Sequence, residues 1–247
     1  MNQKSVLVFD SAEALAVAAA RFVGETAERA IQERGRFLVA LSGGSTPAKM
    51  YKYLVDYPSA YNNWVVFVSD ERWVPEDDPA SNMGAAQRLF LNHVPIPPQN
   101  IKHAYLPGMT AASGALRYEL ALKEFSSDPY QNNDVHLDLV LLGIGDDGHT
   151  ASLFPGKPAL FANDRLVVDT PPGTLPPPVE RVTFTFTAIN KARNVVILAS
   201  GVNKSSIVAS ATTGALNANM MPVQMVIPIN GELVWMVDKD AAGKLTS

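Results

Sequence analysis

The residue most able to do chemistry is His149, in the stretch Gly143-Ile-Gly-Asp-Asp-Gly-His-Thr150. A neutral imidazole accepts a proton near neutral pH, and a carboxylate two residues earlier, Asp147, can orient it or raise its affinity for that proton. Glycines on either side let such a loop bend tightly enough to hold the two groups together. The same stretch satisfies two nucleotide-binding patterns. Gly143, Gly145 and Gly148 fit G-x-G-x-x-G, with Asp169 near the place of a ribose-binding acid, and Gly143 to Thr150 resembles a P-loop with His149 in place of Lys. Both readings put Asp146 and Asp147 beside phosphates with no lysine to offset them, and Pro155 and Pro158 interrupt the helix that a dinucleotide fold needs. A general base with an acidic neighbour is the better account.

Two other loops carry chemistry. Ser42-Gly43-Gly44-Ser45-Thr46-Pro47 follows an apolar run and enters a helical stretch, so its free N–H groups, two hydroxyl-bearing flanks and the helix dipole form an anion site. Two readings compete with that one: a tight βα turn that merely needs glycine, and a nucleophile elbow, G-x-S-x-G, that fails at its last position because Pro47 stands there. Ser69-Asp70-Glu71-Arg72-Trp73 also ends an apolar run and brings an arginine able to fork onto phosphate or hydroxyl oxygens. His93, His103 and His136 have no partner at a metal-ligand spacing, so no metal is expected, and with both nucleotide-binding patterns set aside no organic cofactor is expected either.

Loops of this kind need a rigid frame. Short apolar runs alternate with helical stretches, which predicts an α/β fold with a Rossmann-like, mostly parallel sheet and helices on both faces. Strands are predicted near Ser5–Phe9, Phe37–Leu41, Val65–Ser69, Leu137–Leu142, Val182–Phe186, Val195–Ala199, Val223–Ile227 and Leu233–Val237. Helices are predicted over Ser11–Arg34, Pro47–Val55, Ser81–Asn92, Thr110–Phe125 and Val202–Ala211, the first with Ser11 as its N-cap and Gly35 as its stop. Parallel sheets bind ligands beyond the carboxyl ends of their strands, where all three loops fall. The Pro-rich stretch from Thr170 to Glu180 reads as a stiff surface loop with more of the same sheet after it, which leaves one domain over residues 1–247.

The bulk numbers exclude other classes. Apolar residues make up 47% of the chain and charged residues 18%, enough to fill a core. Twenty Lys and Arg against 24 Asp and Glu, with no basic stripe, argue against a nucleic-acid partner. With no cysteine, no signal-peptide pattern at the start and no apolar run long enough for a membrane helix, the expected location is the cytoplasm. Oligomeric state is not legible.

Taken together and in order, Ser42-Gly-Gly-Ser-Thr-Pro47, Ser69-Asp-Glu-Arg72, Ser81-Asn82, Gly143-Ile-Gly-Asp-Asp-Gly-His-Thr-Ala-Ser-Leu-Phe-Pro155, Arg181-Val-Thr183, Gly201 and Lys204 resemble the glucosamine-6-phosphate isomerase/6-phosphogluconolactonase family. The resemblance implies a sugar-phosphate lactone as substrate and His149 as the base that activates water for its hydrolysis, with Asp147 as orienting acid. It places the phosphate on residues 42–46 and makes Arg72, Arg181 and Lys204 candidate cationic contacts, with Asp70 in the substrate site. Two positions favour the lactonase over the amino-sugar deaminase branch: Phe154 where deaminases carry a Glu, and Arg72 where they carry a Tyr. A non-catalytic sugar-phosphate sensor is the remaining alternative, and it leaves His149 and Asp147 without a task.

Overall fold

The computed structural model describes residues 4–128, 134–173 and 177–245. Along the chain run β1 (Lys4–Phe9), α1 (Ala12–Arg34), β2 (Phe37–Leu41), α2 (Ser45–Val55), β3 (Trp64–Val68), β4 (Asp70–Arg72), α3 (Asn82–Leu89) and α4 (Ala111–Ser126). There follow the short pair β5 (Ser127–Asp128) and β6 (Asp134–Val135), then β7 (Leu139–Leu142), β8 (Val167–Thr170), β9 (Arg181–Phe184) and α5 (Phe186–Ile189). The series closes with β10 (Asn194–Ala199), α6 (Ser205–Thr213), β11 (Glu232–Asp238) and α7 (Lys239–Ala242).

Six of these strands pair in parallel in the order β1-β11-β10-β7-β2-β3. Every residue of β2, β3 and β7 is buried, as strands covered on both faces must be. Burying a side chain such as Leu141 is worth about 1.5–3 kcal/mol, so these apolar runs fix the centre of the sheet. Asp138, just before β7, sets its register against β2: one carboxylate oxygen accepts from the Leu38 N–H at 2.8 Å and the other pairs with Arg34 at 3.0 Å. Helix α1 begins and ends on its own signals, with Ser11 Oγ accepting from the Ala14 N–H (3.1 Å) and Gly35 at φ +77°.

The strand order reverses once. From β2 the chain moves outward to β3, returns to the other side of β2 as β7, and then continues through β10 to β11. A crevice therefore opens between the carboxyl ends of β2 and β7, the switch point at which open α/β sheets hold their ligands. The loops containing Ser42–Thr46 and His149 leave from those two strands.

Three expectations need correction. The strand predicted near Val182–Phe186 does not extend the parallel sheet; as β9 it joins β4 and β8 in a separate antiparallel sheet, ordered β4-β9-β8. The run Val223–Ile227 is no strand but a 3-10 turn over Pro222–Met225. Pro222 and Pro228 bracket it, and Asn190 satisfies the backbone a neighbouring strand would have paired, donating to Met225 O (2.9 Å) and accepting from Ile227 N (2.7 Å). Residues 202–204 form a 3-10 turn ahead of α6 rather than its first turn. Part of the Pro-rich loop expected between Thr170 and Glu180 lies outside the described residues, at 174–176.

Candidate active site

The anion loop is shaped by what its neighbours forbid. A Cβ on Gly43 would lie 1.9 Å from Asn82 Oδ1, and Gly44 has φ +103°, so neither position accepts an ordinary side chain. Tyr51, buried in α2, donates to the carbonyl of Ser42 at 2.6 Å and ties the loop to the helix that follows it. No side chain caps α2, which leaves its first N–H groups facing the crevice.

Behind that loop stands a buried polar cluster. Glu71 accepts from the backbone N–H groups of Arg72 (2.8 Å), Asn82 (2.7 Å) and Met83 (2.8 Å), and from Ser81 Oγ (3.1 Å). Burial pushes its carboxyl up to about 7, against the downward pull of the three backbone donors. Asp70 accepts from Ser152 Oγ at 2.6 Å, and Asn82 Nδ2 donates to the Asp70 carbonyl at 2.8 Å. The loop carrying Asp70 is thereby stitched to Ser152, just beyond His149, and to Asn82, which packs against Gly43.

Arg72 and Arg181 face each other across the β4–β9 ladder. Like charges directly opposite are unfavourable unless something anionic joins them. Arg72 donates to the Ala80 carbonyl (2.7 Å), yet the Nε groups of both arginines are buried without a partner among the described residues. Burial pulls Arg181 below the ordinary guanidinium value; the Asp70 charge opposes that shift and the Arg72 charge adds to it.

The base loop turns on Gly148 (φ +81°) and on Ala151, the one non-glycine residue at positive φ among those described (φ +47°). His149 Nδ1 meets Asp147 Oδ1 at 2.5 Å, and the same oxygen accepts from the His149 backbone N–H at 3.1 Å. Burial pushes the Asp147 carboxyl up, but the hydrogen bonds and charge of His149 outweigh it and hold the group below the usual aspartate range. With Nδ1 donating to a carboxylate, Nε2 is the nitrogen left to accept a proton. The Phe154 ring packs 4.5 Å from the imidazole, and a Cβ on Gly145 would sit 2.0 Å from His149 Nδ1, so the ring is held from two sides. Lys204 Nζ reaches this loop from the turn before α6, donating to the Ile144 carbonyl (2.9 Å) and to Asp146 Oδ1 (2.6 Å).

These groups share one cavity of about 270 Å³, lined by residues 42–46, Asp70, Arg72, His149, Arg181 and Lys204. Asp147 is outside its lining and reaches it through His149. Asp169 is also outside, which removes the ribose-binding acid of the dinucleotide reading. Ser45 opens α2 and makes no hydrogen bond to His149 among the described residues, so the nucleophile-elbow geometry is missing. Among the described residues no cluster of three or more His, Cys, Asp or Glu could hold a metal. His93, His103 and His136 bond instead to the Arg88 carbonyl, Glu76 and the Lys191 carbonyl.

Asn82 and Ala151 also line the cavity, and neither was expected there from sequence. The Ser81-Asn82 pair was visible as a motif, but only the close fit of Asn82 against Gly43 gives it a role. Glu71, paired with Asp70 in sequence, points away from the cavity into the cluster that positions Asn82.

A parallel sheet with an uncapped helix start and a His–Asp pair on opposite sides of its switch point defines an α/β protein built for proton transfer on an anionic small molecule. The chain matches, over residues 10–235, the family model described as glucosamine-6-phosphate isomerases/6-phosphogluconolactonase. It is 38% identical over 220 residues to a 6-phosphogluconolactonase of Synechocystis sp., covering 88% of each chain. It is 37% identical over 252 residues to a probable chloroplastic 6-phosphogluconolactonase of Oryza sativa, covering 98% of this chain and 76% of that one. Among solved structures, the 6-phosphogluconolactonase of Trypanosoma brucei superposes with a TM-score of 0.83 at 29% identity, covering 100% of both chains. The chain belongs to the glucosamine-6-phosphate isomerase/6-phosphogluconolactonase family.

Proposed function

We infer that this chain hydrolyses 6-phospho-D-glucono-1,5-lactone to 6-phospho-D-gluconate, the lactone-opening step of the oxidative pentose phosphate pathway. The observation that carries the reading is the His149–Asp147 pair at 2.5 Å beside a cavity containing two arginines whose Nε groups are buried and without a partner among the described residues. The named relatives support the same reaction.

In this mechanism the phosphate lies on the N–H groups of residues 42–46 with Arg72, Arg181 and Lys204 around it, and Asp70 faces the sugar hydroxyls. The C1 carbonyl then stands near His149. Nε2 takes a proton from water as the water oxygen bonds to C1, and the tetrahedral intermediate expels the ring oxygen, which receives that proton from the imidazolium. Asp147 holds the Nδ1–H tautomer and stabilises the transient positive charge. Phe154 cannot transfer a proton, which favours lactone hydrolysis over the ring-opening chemistry of the isomerase branch. Among the described residues no helix is long and apolar enough to cross a membrane.

The test is hydrolysis of enzymatically generated 6-phosphogluconolactone, followed by the acid it releases. The unsubstituted protein should accelerate it well above the spontaneous rate, and His149→Ala should lose at least about 10²-fold of kcat, the usual share of a general base. Hydrolysis by His149→Ala at the parent rate would remove His149 from the chemistry.

A further inference from the structure

Among the described residues, Lys204 is the one Lys or Arg of the cavity that has a carboxylate partner within ion-pair distance. Its ammonium donates to Asp146 Oδ1 at 2.6 Å and to the Ile144 carbonyl at 2.9 Å, whereas the Nε groups of Arg72 and Arg181 have no partner among the described residues. The two ends of that ion pair differ. The Lys204 side chain is 23% exposed and lines the cavity, while the Asp146 side chain is 75% exposed and lies outside the lining. A carboxylate that exposed can turn to solvent at little cost, because water replaces most of what it leaves. Lys204 has no such freedom, since the Ile144 carbonyl still holds it beside the cavity.

We propose that Asp146 is a specificity-determining residue: its carboxylate occupies Lys204 when the cavity is empty, as an internal stand-in for the phosphate of the substrate, and a phosphodianion displaces it. The inference rests on the reading of this cavity as a phosphate site. A dianion that also reaches the N–H groups of residues 42–46 and the two arginines competes well for the ammonium. A neutral lactone without phosphate does not compete for the ammonium, so the pair lowers affinity for the phosphorylated lactone alone and sets how strongly the cavity prefers it.

The same contact connects the phosphate to the base. Ile144, whose carbonyl Lys204 holds, is followed by Gly145, whose N–H donates to the His149 carbonyl at 2.9 Å and whose Cα lies against the imidazole. Drawing Lys204 from Asp146 onto a phosphate leaves the Ile144 contact in place and frees the side chain next in sequence to Asp147. Asp146 therefore acts on substrate choice through Lys204 and makes no contact with the reacting atoms.

The experiment is a titration of the full chain with inorganic phosphate, followed by ³¹P NMR, for the unsubstituted protein, Asp146→Asn, Lys204→Ala and the double variant. Asp146→Asn should bind phosphate about 1.5- to fivefold tighter, the worth of an exposed ion pair, and that gain should vanish when Lys204 is absent. Steady-state kinetics should show KM for the phosphorylated lactone falling by the same factor, with KM for unphosphorylated glucono-1,5-lactone unchanged. Unchanged or weaker phosphate binding by Asp146→Asn overturns the proposal, as does a gain that persists without Lys204 or a KM that falls equally for both lactones. Phosphate binding as expected together with no lactone hydrolysis would overturn the reaction assignment and leave the role of Asp146 standing.

Discussion

The His149–Asp147 pair is a two-residue device in which each partner fixes the other. Asp147 takes two hydrogen bonds from one residue, the backbone N–H and the ring of His149, and these hold it ionised at neutral pH. An Asp147→Asn side chain would keep the size but offer a donor or a weak acceptor to Nδ1, so the ring would lose the tautomer that leaves Nε2 as the base. The expected result is a fall in kcat of about 10²–10⁴-fold with little change in KM, the pattern of a group that matters in the transition state. A rise in KM at constant kcat would instead place Asp147 in substrate binding. The pH dependence has a definite sign. A carboxyl whose folded value lies below its unfolded one stabilises the fold above the unfolded value, and that contribution is lost as pH falls through the lower folded value. Asp147→Asn should therefore flatten the acid limb of the stability curve below about pH 4, measured by urea unfolding across pH.

At the scale of elements, the short antiparallel sheet determines how the arginines are presented. Strand β4 is only Asp70-Glu71-Arg72, yet it orients three side chains differently: Asp70 and Arg72 to the cavity, Glu71 to the start of α3. Glu71 titrates in the sense opposite to Asp147. Its folded value near 7 lies above its unfolded value, so its contribution to stability is full below about pH 4.5 and lost as pH rises towards 7. Glu71→Gln cannot titrate and should flatten the stability curve across that window, by on the order of 3 kcal/mol between its ends. At the acid end of that window it should also lower stability by about 1–3 kcal/mol, since an amide N–H₂ would face backbone donors, and this deficit should shrink as pH rises towards 7. An unaltered slope between pH 4.5 and 7 would mean that Glu71 does not carry it. β4 also shows where the sequence stops being legible. The six parallel strands could be read because they are apolar runs, largely buried in all but the edge strand β1, and the caps of α1 because Ser11 and Gly35 act locally. Asp70-Glu71-Arg72 has no apolar period, and β8 (Val167–Thr170) is four residues with an exposed Asp169, so only tertiary pairing makes either a strand. Val223–Ile227 erred the other way: it has the composition of a strand, but both places beside β11 are filled by β1 and β10.

Across the whole molecule, the groups assigned to the phosphate come from segments far apart in the chain: residues 42–46 after β2, Arg72 on β4, Arg181 on β9 and Lys204 before α6. The sequence identified each of them through its local motif or through family resemblance. It could not reveal that Arg72 and Arg181 are cross-strand partners, because that depends on a pairing between β4 and β9 with no period to announce it. An anion bound among them links the two sides of the switch point and relieves the repulsion between the arginines, so binding should stabilise the fold rather than one loop. For a ligand that binds only the folded state, a concentration of 100 times Kd adds about 2.7 kcal/mol. In a chain of 247 residues that corresponds to a rise in Tm of about 5–10 °C. We expect 6-phosphogluconate, the unreactive product, to produce such a shift in differential scanning calorimetry, and unphosphorylated gluconate at the same concentration to produce little. Arg181→Ala will lower Tm without ligand, because a buried side chain is lost; its diagnostic is the ligand-induced shift, which should fall to less than half that of the unsubstituted protein. Equal shifts from the phosphorylated and unphosphorylated acids would show that the cavity recognises the sugar and not the phosphate, and the roles given to all three cations would fall together.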